Sequence, residues 1–532
     1  MTVPSGTPRP PLSRRVFLHR LAAVGGAGLV MAGLDALGMS MASAQTAPPA
    51  LSGSGAGRRV VILGAGVGGM TAAYELAKQG YGCTILEARG FAGGRCQTAR
   101  GGFALTELGG EEQRCAFDEG QYTNHGPWRI PFNHQSTLHY TREFGIPLEV
   151  MVNDNDASYA LFEGGTGPLA GKPVRRAEVA ADMRGHTAEL LAKAVRKGAL
   201  DNAMTPDDRD LFVAYLVREG YLSAKDLAYS GAEGRGYDVW PGAMTVPGPG
   251  RRGTPHGMLD LLHSKTWRTL RSVAGFSQQR TMFQPVGGMD RIARGFEAKV
   301  GHLIQYGVTV ERIGQDADGV EVAWTGTEGQ RGTTTADYCI CTIPLSVLRG
   351  IEVAAPDAFK QAVAEVAYMP VGKIGLQMKR RFWEEDHYIY GGHVYTDNDG
   401  IGSLSLPSWG WQGRKGTLLG YYQFDTAAVQ VSAMSPDERT ELALAFGQRV
   451  FPQYRECFET AFSVAWHRVE HSMGGWAEWT EEGRKSAYPL LCEPSGRLYL
   501  AGEHLSYLTG WQAGAIESAW QQVEKLHRRA SA

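Results

Sequence analysis

One short stretch near the start of the chain constrains the fold more than any other. Residues 59–69 read Arg-Val-Val-Ile-Leu-Gly-Ala-Gly-Val-Gly-Gly, an apolar run followed by closely spaced glycines. The unbroken apolar run predicts a parallel strand that is covered on both faces. Gly64 permits a tight turn, Gly66 lets the backbone approach a pyrophosphate, and Gly69 lets the next helix pack on the strand. The stretch therefore predicts a strand, a glycine turn and a helix that together bind a dinucleotide.

The residues after the turn extend this prediction. Helical spacing of apolar residues predicts a helix over residues 67–78 that is ended by Gly80. Its free N–H groups and positive dipole end are suited to hold phosphates. The following strand ends at Glu87, about 20 residues beyond the glycines, where a carboxylate can bind a ribose hydroxyl and would repel a 2′-phosphate. At this point the motif leaves NAD and FAD equally open.

Composition excludes several classes of function. The 532 residues are enough for about two or three domains with a large core. Lys and Arg number 53 against 55 Asp and Glu, a net charge of -2, so we expect no nucleic-acid partner. The seven cysteines are scattered and form no CxxC pair, so we expect neither a disulfide framework nor a metal site.

The first 44 residues have the pattern of an export signal. Arg14 and Arg15 precede an apolar stretch, and residues 42–44, Ala-Ser-Ala, offer a cleavage site. The paired arginines resemble a twin-arginine signal, which implies interaction with the twin-arginine export machinery and a periplasmic or secreted protein. A membrane anchor is the alternative, but Asp35 interrupts the apolar stretch, and we expect no stable membrane span.

A second glycine-rich segment follows the acid. Glu87 and Ala88 are followed at residues 93–95 by Gly-Gly-Arg. The dinucleotide fingerprint, the acid and this element together resemble the FAD-dependent amine oxidase superfamily, which includes monoamine oxidases, polyamine oxidases and L-amino acid oxidases. NAD dehydrogenases generally lack Gly-Gly-Arg, so the resemblance favours FAD. Arg95 can neutralise the pyrophosphate of that cofactor.

Residues 126–131, Gly-Pro-Trp-Arg-Ile-Pro, resemble an element of L-amino acid oxidases. In that family the arginine binds the substrate carboxylate and the preceding residues contact the flavin. A planar guanidinium makes two parallel hydrogen bonds to a carboxylate, which suits Arg129 to this role. The alternative is a structural arginine held in a salt bridge.

Two later segments resemble the same family. Lys373, followed by Phe382 and Trp383, resembles the lysine that holds a water beside flavin N5. Desolvation in a dry site lowers the pKa of such a lysine, and it can assist reoxidation by O2. The resemblance also implies that Val310 contacts the adenine end through its backbone.

The C-terminal residues resemble the flavin signature of the family. Residues 497–503 read as a strand ending in Gly-Glu, and residues 509–518 read as the start of the last helix. The resemblance implies that Glu503 accepts hydrogen bonds from the ribityl chain and that the helix N-terminus faces flavin N1 and O2. It also implies that Gly510 offers its carbonyl to the substrate amine and that Trp511 forms a wall of an aromatic slot.

Two positions depart from the family pattern. Trp476 stands where monoamine oxidases carry the cysteine that is bonded to FAD, so we expect non-covalent FAD, with Trp476 as a second wall of the slot. Leu406 stands where L-amino acid oxidases carry a carboxylate-binding tyrosine. We expect Tyr421 or Tyr422 to supply the missing hydrogen bond, and we assign Tyr421 to the substrate site.

The resemblance spans almost the whole chain beyond the export signal. It implies an α/β fold with a discontinuous Rossmann-like FAD-binding domain, a mixed-sheet substrate domain and a helical insertion. Residues 175–272 read as mostly helical, with the Thr-Pro-Asp-Asp at residues 205–208 as a helix start. We expect this region to form a funnel to the site. The expected segments are a signal peptide over residues 1–44, a flexible leader over 45–57, FAD-binding parts over 58–128, 280–350 and 471–532, and substrate-domain parts over 129–279 and 351–470.

The implied function is that of an FAD-dependent L-amino acid oxidase. Hydride transfer from the amino acid to flavin N5 would give a keto acid, ammonia and, with O2, H2O2. The alternatives are a monoamine or polyamine oxidase, an amino acid 2-monooxygenase, or an exported flavin-binding protein without turnover, and the assembly can be a homodimer. The expected catalytic residue is Lys373, and the expected substrate ligands are Arg129, Gly510, Trp511, Trp476 and Tyr421. The expected cofactor ligands are Gly64, Gly66, Val67, Gly68, Gly69, Glu87, Ala88, Gly94, Arg95, Gly126, Pro127, Trp128, Arg129, Val310, Glu503, Gly510, Trp511, Gln512, Ala513, Gly514 and Ala515.

Overall fold

The computed structural model describes residues 45–199, 203–246, 248–271 and 275–532. The predicted export signal over residues 1–44 lies outside the described residues. Among the helices of the described residues, none combines the length and the apolar character needed to cross a membrane. All seven cysteines are free thiols, six of them buried.

The predicted first strand, Arg59–Leu63, lies at the centre of a parallel sheet. Its residue Ile62 pairs with Ile85 on one side and with Ile340 on the other. In spatial order the five strands are Ile304–Tyr306, Gly82–Glu87, Arg59–Leu63, Tyr338–Cys341 and Leu498–Leu500. One flanking strand, Gly82–Glu87, follows after a single helix, whereas the other, Tyr338–Cys341, comes from a distant part of the chain, so the sheet is completed only after a long loop has closed.

Both faces of this sheet are covered, which explains the unbroken apolar run. Val60 and Ile62 pack against a layer of three helices, Val67–Lys78, Arg291–Val300 and Gln512–Ala530. Val61 and Leu63 point the other way, toward the helices Asp357–Glu365 and Ala487–Cys492 and a second sheet. In spatial order the strands of that second sheet are Arg331–Ala336, Val320–Gly326, Val308–Gln315 and Glu352–Val353.

The glycine turn has the predicted geometry. Gly64 has φ +95°, in the left-handed region that favours glycine. A Cβ on Gly69 would lie 2.0 Å from the carbonyl oxygen of Gly64, so only glycine allows the helix to pack this close to the turn. The helix spans Val67–Lys78, as its periodicity predicts.

A mixed sheet of seven strands forms the other large layer. Its strand Tyr159–Leu161 pairs in parallel with Gly392–Thr396, whereas the remaining pairs are antiparallel. In spatial order the strands are Phe458–Ala465, Val371–Met378, Gly416–Phe424, Ser403–Leu406, Gly392–Thr396, Tyr159–Leu161 and Val174–Arg175. The helices Asp425–Ser432 and Pro436–Val450 pack beside this sheet.

The described part of the region predicted to be helical contains three α-helices, Arg176–Arg196, Pro206–Glu219 and Met258–Ser264. Thr205 caps the second of these by accepting a hydrogen bond from the Asp208 N–H, and Asp208 returns a bond to the backbone of Thr205. This reciprocal cap explains why that helix starts where the sequence predicts.

Shorter elements complete the fold. The remaining helices are Gln135–Glu143, Leu345–Leu348, Phe382–Glu385, Tyr454–Cys457 and Glu481–Lys485. The remaining strand pairs are Ala104–Thr106 with Glu112–Arg114, Leu148–Val152 with Thr281–Pro285, Tyr237–Val239 with Arg251–Arg252, and Ala367–Tyr368 with Ala477–Glu478.

Candidate active site

A cavity of about 470 Å³ is lined by residues from both large sheets. Most of the predicted ligands lie on its wall. Those predicted residues are Gly64, Gly66, Val67, Gly68, Glu87, Ala88, Gly94, Arg95, Gly126, Pro127, Trp128, Arg129, Val310, Lys373, Trp476, Glu503, Gly510, Trp511, Gln512 and Ala515. Gly69, Ala513, Gly514 and Tyr421 do not line the cavity. The structure thus brings together motifs that lie more than four hundred residues apart in the chain.

The glycine turn and Glu87 form one end of the cavity. Glu87 accepts hydrogen bonds from the backbone N–H of Ala65 at 2.7 Å and of Arg89 at 2.9 Å. These bonds fix the turn that begins the helix. Apart from Gly66 itself, its chain neighbours and the adjoining helix backbone, no atom of the described residues lies within 4 Å of the place that a Cβ on Gly66 would take, so the backbone is open to a ligand there. This end has the donor groups and the space that a pyrophosphate requires.

Arg95 and Glu503 form an ion pair on the cavity wall. An Arg95 guanidinium nitrogen lies 2.9 Å from Oε1 of Glu503 and also donates to the carbonyl of Gly475 at 2.8 Å. Glu503 further accepts from the N–H groups of Ala477 at 3.2 Å and Gly510 at 3.1 Å. The pair therefore connects the Gly-Gly-Arg element to residues 475–477 and to the C-terminal element.

Lys373 lies within the strand Val371–Met378 and is 2% exposed. Its Nζ donates to the carbonyls of Gly126 and Asn124. Burial, and to a lesser degree the positive charge of Arg129, holds the pKa of the Lys373 amine well below its ordinary value. The Lys373 amine therefore loses its proton more readily than an ordinary lysine does, and once neutral it can accept a proton inside the cavity.

Arg129 is 9% exposed and lines the cavity. One of its nitrogens, Nη2, donates to Oε1 of Gln278 at 3.0 Å. The guanidinium carbon lies 5.9 Å from the centre of the Trp511 ring. The structure thus places a positive charge in the cavity, next to one of the predicted aromatic walls.

Aromatic rings form much of the remaining wall. The Trp476 ring packs against Gly510, where an added Cβ would lie 3.2 Å from it. Trp511 precedes the last helix as its N-terminal capping residue and contacts His134 edge-on, with 4.7 Å between ring centres. Trp128 and Trp466 also line the cavity. An alkyl or aryl group bound here is shielded from water.

The assignment of Tyr421 to the substrate site is wrong. Adjacent residues of a strand point to opposite faces, and Tyr421 packs in the core beyond the sheet together with Leu406. Tyr422 faces the cavity, and burial raises its pKa to about 12. Its hydroxyl group is therefore protonated at neutral pH and can donate a hydrogen bond to a ligand.

Several residues of the cavity wall belong to none of the sequence motifs. Gln278 and Trp466 lie outside every element that resembles the family. His134 follows Arg129 by five positions, and burial lowers its pKa to about 3, so its imidazole is neutral.

Among the described residues between 138 and 277, none lines the cavity, so the expected funnel contributes nothing to its wall. In that region, Nε2 of the His256 ring lies 2.8 Å from a carboxylate oxygen of Glu178.

Residues 67–527 match the family model of the flavin containing amine oxidoreductases. The chain belongs to this family. The predictions of a flavoenzyme that acts on amino groups and of FAD as its cofactor are thereby confirmed. The match begins at Val67, where the helix after the glycine turn starts, includes Arg129 and Lys373, and ends within the last helix. The cavity of this amine oxidoreductase is therefore the place where a flavin and a substrate amine are expected to meet.

Related sequences include L-amino-acid oxidases. This amine oxidoreductase is 29% identical over 503 residues to the putative L-amino-acid oxidase YobN of Bacillus subtilis, with 90% of this chain and 96% of the relative covered. It is 24% identical over 479 residues to the L-amino-acid oxidase of Pseudechis australis, with 87% of this chain and 85% of the relative covered.

Solved structures show the same fold. Cyclohexylamine oxidase from Brevibacterium oxydans matches with a TM-score of 0.59 at 16% identity, covering 89% of this chain and 100% of that chain. Wild-type putrescine oxidase bound to putrescine matches with a TM-score of 0.57 at 18% identity, covering 89% of this chain and 98% of that chain. The α/β architecture of this amine oxidoreductase is therefore that of the amine oxidases.

Proposed function

We propose that this amine oxidoreductase is an FAD-dependent L-amino acid oxidase. The observation that supports this most directly is the position of Arg129, which is buried, lines the cavity and lies beside Trp511. A substrate that carries only an amine has no use for a buried cation at this place. An amino acid has a carboxylate that the guanidinium binds in a charge-assisted, two-bonded geometry.

The residues at the other end of the cavity fit FAD. The open space beside Gly66 and the helix that begins at Val67 would hold the pyrophosphate. Glu87 would bind the ribose, and the N-terminus of the helix Gln512–Ala530 would face the flavin ring. Trp476 offers no sulfur for a covalent bond, so we propose that FAD is bound non-covalently in a Rossmann-like arrangement.

When bound, the flavin supplies the chemistry of accepting a hydride from the substrate carbon and reducing O2 to H2O2. The chain itself acts by positioning. Arg129 holds the carboxylate, and the aromatic walls fix the side chain and exclude water. The amine of Lys373, whose pKa lies well below the ordinary value, can exchange a proton or hold a water at its Nζ. A substrate that enters as a free amine needs no further acid or base.

The organisation of the chain outside the cavity is also a proposal. We propose that residues 1–44 direct export by the twin-arginine route and that the mature protein is periplasmic or secreted. We also propose the division into FAD-binding and substrate parts at the predicted boundaries, and assembly as a homodimer. Mass determination of the mature N-terminus tests the export signal, limited proteolysis tests the boundaries, and small-angle scattering tests the dimer.

A peroxide assay tests the proposed activity. Purified holoenzyme is incubated with each common L-amino acid, its D-enantiomer and the amine that its decarboxylation would give, and peroxide, ammonia and keto acid are measured. We expect peroxide, ammonia and keto acid from L-amino acids only. Turnover of amines alone would make the protein an amine oxidase. Formation of an amide with loss of the carboxyl group would make it a monooxygenase, and no turnover of any substrate would leave a flavin-binding protein.

A further inference from the structure

Gln278 is a buried polar residue that lines the cavity directly beside Arg129. It is 3% exposed, and its Oε1 accepts a hydrogen bond from Nη2 of Arg129 at 3.0 Å. It lies 149 residues from Arg129 in the chain, outside every motif that carries a known role. The contact therefore depends on the tertiary fold.

The hydrogen bond fixes the orientation of the Gln278 amide. A guanidinium has only donors, so the amide must present its oxygen to Arg129 and turn its NH2 group away. That nitrogen, Nε2, is buried and has no hydrogen-bond partner among the described residues. An unsatisfied buried donor is costly, which indicates that its acceptor is a ligand of the cavity.

The segment that carries Gln278 is held in place. The preceding residue, Ser277, is fully buried and accepts a hydrogen bond from Nδ2 of Asn133 at 3.0 Å. Asn133 follows Arg129 by four positions, so this bond ties the two segments together beside the cation. The relative position of the amide and the guanidinium is therefore set by two bonds rather than one.

We propose that Gln278 is a specificity-determining residue that donates a hydrogen bond from Nε2 to the substrate carboxylate, beside the bonds from Arg129. This inference rests on the proposed oxidation of L-amino acids. It adds a second donor, beside the Tyr422 hydroxyl, to a site where Leu406 stands in place of the tyrosine that related oxidases are expected to carry. A neutral amide does not itself neutralise Arg129, whereas a carboxylate at this position would.

Two substitutions of Gln278 and one matched control test the proposal. Gln278→Met keeps the volume and removes the donor, and Gln278→Glu keeps the shape and places a negative charge against the substrate carboxylate. Gln279→Met is the control, because it makes the same substitution at the exposed neighbouring glutamine. The amino acid with the highest kcat/KM in the peroxide assay is used with its deaminated carboxylic acid and its decarboxylated amine. The measurements are KM and kcat for the amino acid, and calorimetric Kd values for the acid and the amine with the flavin-loaded protein.

We expect Gln278→Met to raise KM for the amino acid and Kd for the acid by about 10-fold to 100-fold, the range for a hydrogen bond to a charged group. Gln278→Glu should raise both further. In both variants, kcat and the Kd of the amine should change by a smaller factor than KM and the Kd of the acid. Gln279→Met should behave as wild type. Should Gln278→Met fail to fold, the comparison of Gln278→Glu with wild type decides the question.

The outcomes separate this inference from the proposed function. Equal Kd values of wild type and Gln278→Met for the acid, with amino acid oxidation intact in both, would overturn the role of Gln278 alone. An equal loss for the acid and the amine would show a structural effect and would also overturn it. A wild-type protein that oxidises no amino acid and binds no carboxylic acid would overturn the proposed function and this inference with it.

Discussion

Lys373 and Tyr422 stand opposite each other on adjacent antiparallel strands, with Nζ of Lys373 4.3 Å from the centre of the Tyr422 ring. Contact with the ring favours an ammonium group. Burial acts in the opposite direction, and no carboxylate of the described residues forms an ion pair with Lys373. The balance is a pKa well below the ordinary value of 10.5. The cavity therefore contains a lysine whose neutral form is favoured by folding.

The lowered pKa of Lys373 predicts a pH dependence of stability. Between the lowered pKa and the ordinary value, the unfolded chain binds a proton that the folded chain does not, so the free energy of unfolding rises with pH in that window. Lys373→Met removes the group, and we expect the variant to gain stability relative to wild type as pH falls from 10 toward 6. Urea unfolding of the two proteins across this range measures the difference.

Lys360→Met is the control for this prediction, because Lys360 is an exposed residue of the helix Asp357–Glu365. It should leave the pH dependence of wild type unchanged. Parallel stability curves for wild type and Lys373→Met would show that Lys373 keeps its proton on folding, contrary to the prediction.

The position of Arg129 predicts a loss of carboxylate binding on its removal. Truncating one partner of a buried, hydrogen-bonded charge pair costs about 2–5 kcal/mol, so Arg129→Met should raise KM for amino acids by at least about 30-fold. Arg129→Lys keeps the charge but loses the forked geometry, so its KM should lie between those of wild type and Arg129→Met. Steady-state kinetics on amino acids and on the matching amines measure both effects.

Arg142, an exposed arginine in the helix Gln135–Glu143, provides the control. Arg142→Met should have the kinetics of wild type. If Arg129→Met oxidised amino acids with an unchanged KM, the carboxylate role and the assignment as an amino acid oxidase would both be wrong.

Local features of this fold could be read from the sequence. The helix Val67–Lys78 and the cap at Thr205 depend on neighbouring residues, and both occur at the predicted positions. The roles of Gly64 and Gly69 follow from backbone geometry within one turn. Such elements are predictable because the residues that determine them lie within a few positions of each other.

Relationships across strands could not be read in this way. Alternation in a strand shows that Tyr421 and Tyr422 face opposite sides but does not show which side is the cavity. That depends on the pairing of Lys373 with Tyr422, which is set by strand register. Gln278 was missed for a related reason, since its partner Arg129 is 149 residues away.

The two tyrosines predict a pair of opposite results. Tyr422→Phe removes a hydroxyl that faces the cavity, and we expect KM for amino acids to rise about tenfold, because a hydrogen bond to a charged group is lost. Tyr421→Phe should leave KM and kcat unchanged and lower the free energy of unfolding by about 1 kcal/mol, because it removes a hydrogen bond with Ser463. Kinetics and urea unfolding of both variants check this. Reversed kinetic effects would mean that the strand presents its other face to the substrate.

The ion pair between Arg95 and Glu503 predicts a link between stability and flavin retention. Glu503→Ala leaves the Arg95 guanidinium without its anion and the N–H groups of Ala477 and Gly510 without their acceptor. Breaking a buried pair costs about 3–5 kcal/mol, and the partial exposure of Arg95 places this change at the lower end. We also expect the purified variant to lose much of its flavin, measured as flavin absorbance relative to protein absorbance.

The pair between Glu107 and Arg439 offers a matched control, because neither residue lines the cavity. Glu107 accepts from Arg439 at 2.9 and 2.7 Å and from the N–H of Ala465 at 2.7 Å, and both side chains are buried. Glu107→Ala should therefore destabilise the protein at least as much as Glu503→Ala while keeping the flavin content of wild type. Because the two glutamates share burial, an arginine partner and a backbone donor, a lower flavin content in Glu503→Ala alone can come only from the position of Glu503 at the cofactor. Equal flavin loss in both variants would instead reduce the role of Glu503 to general stability.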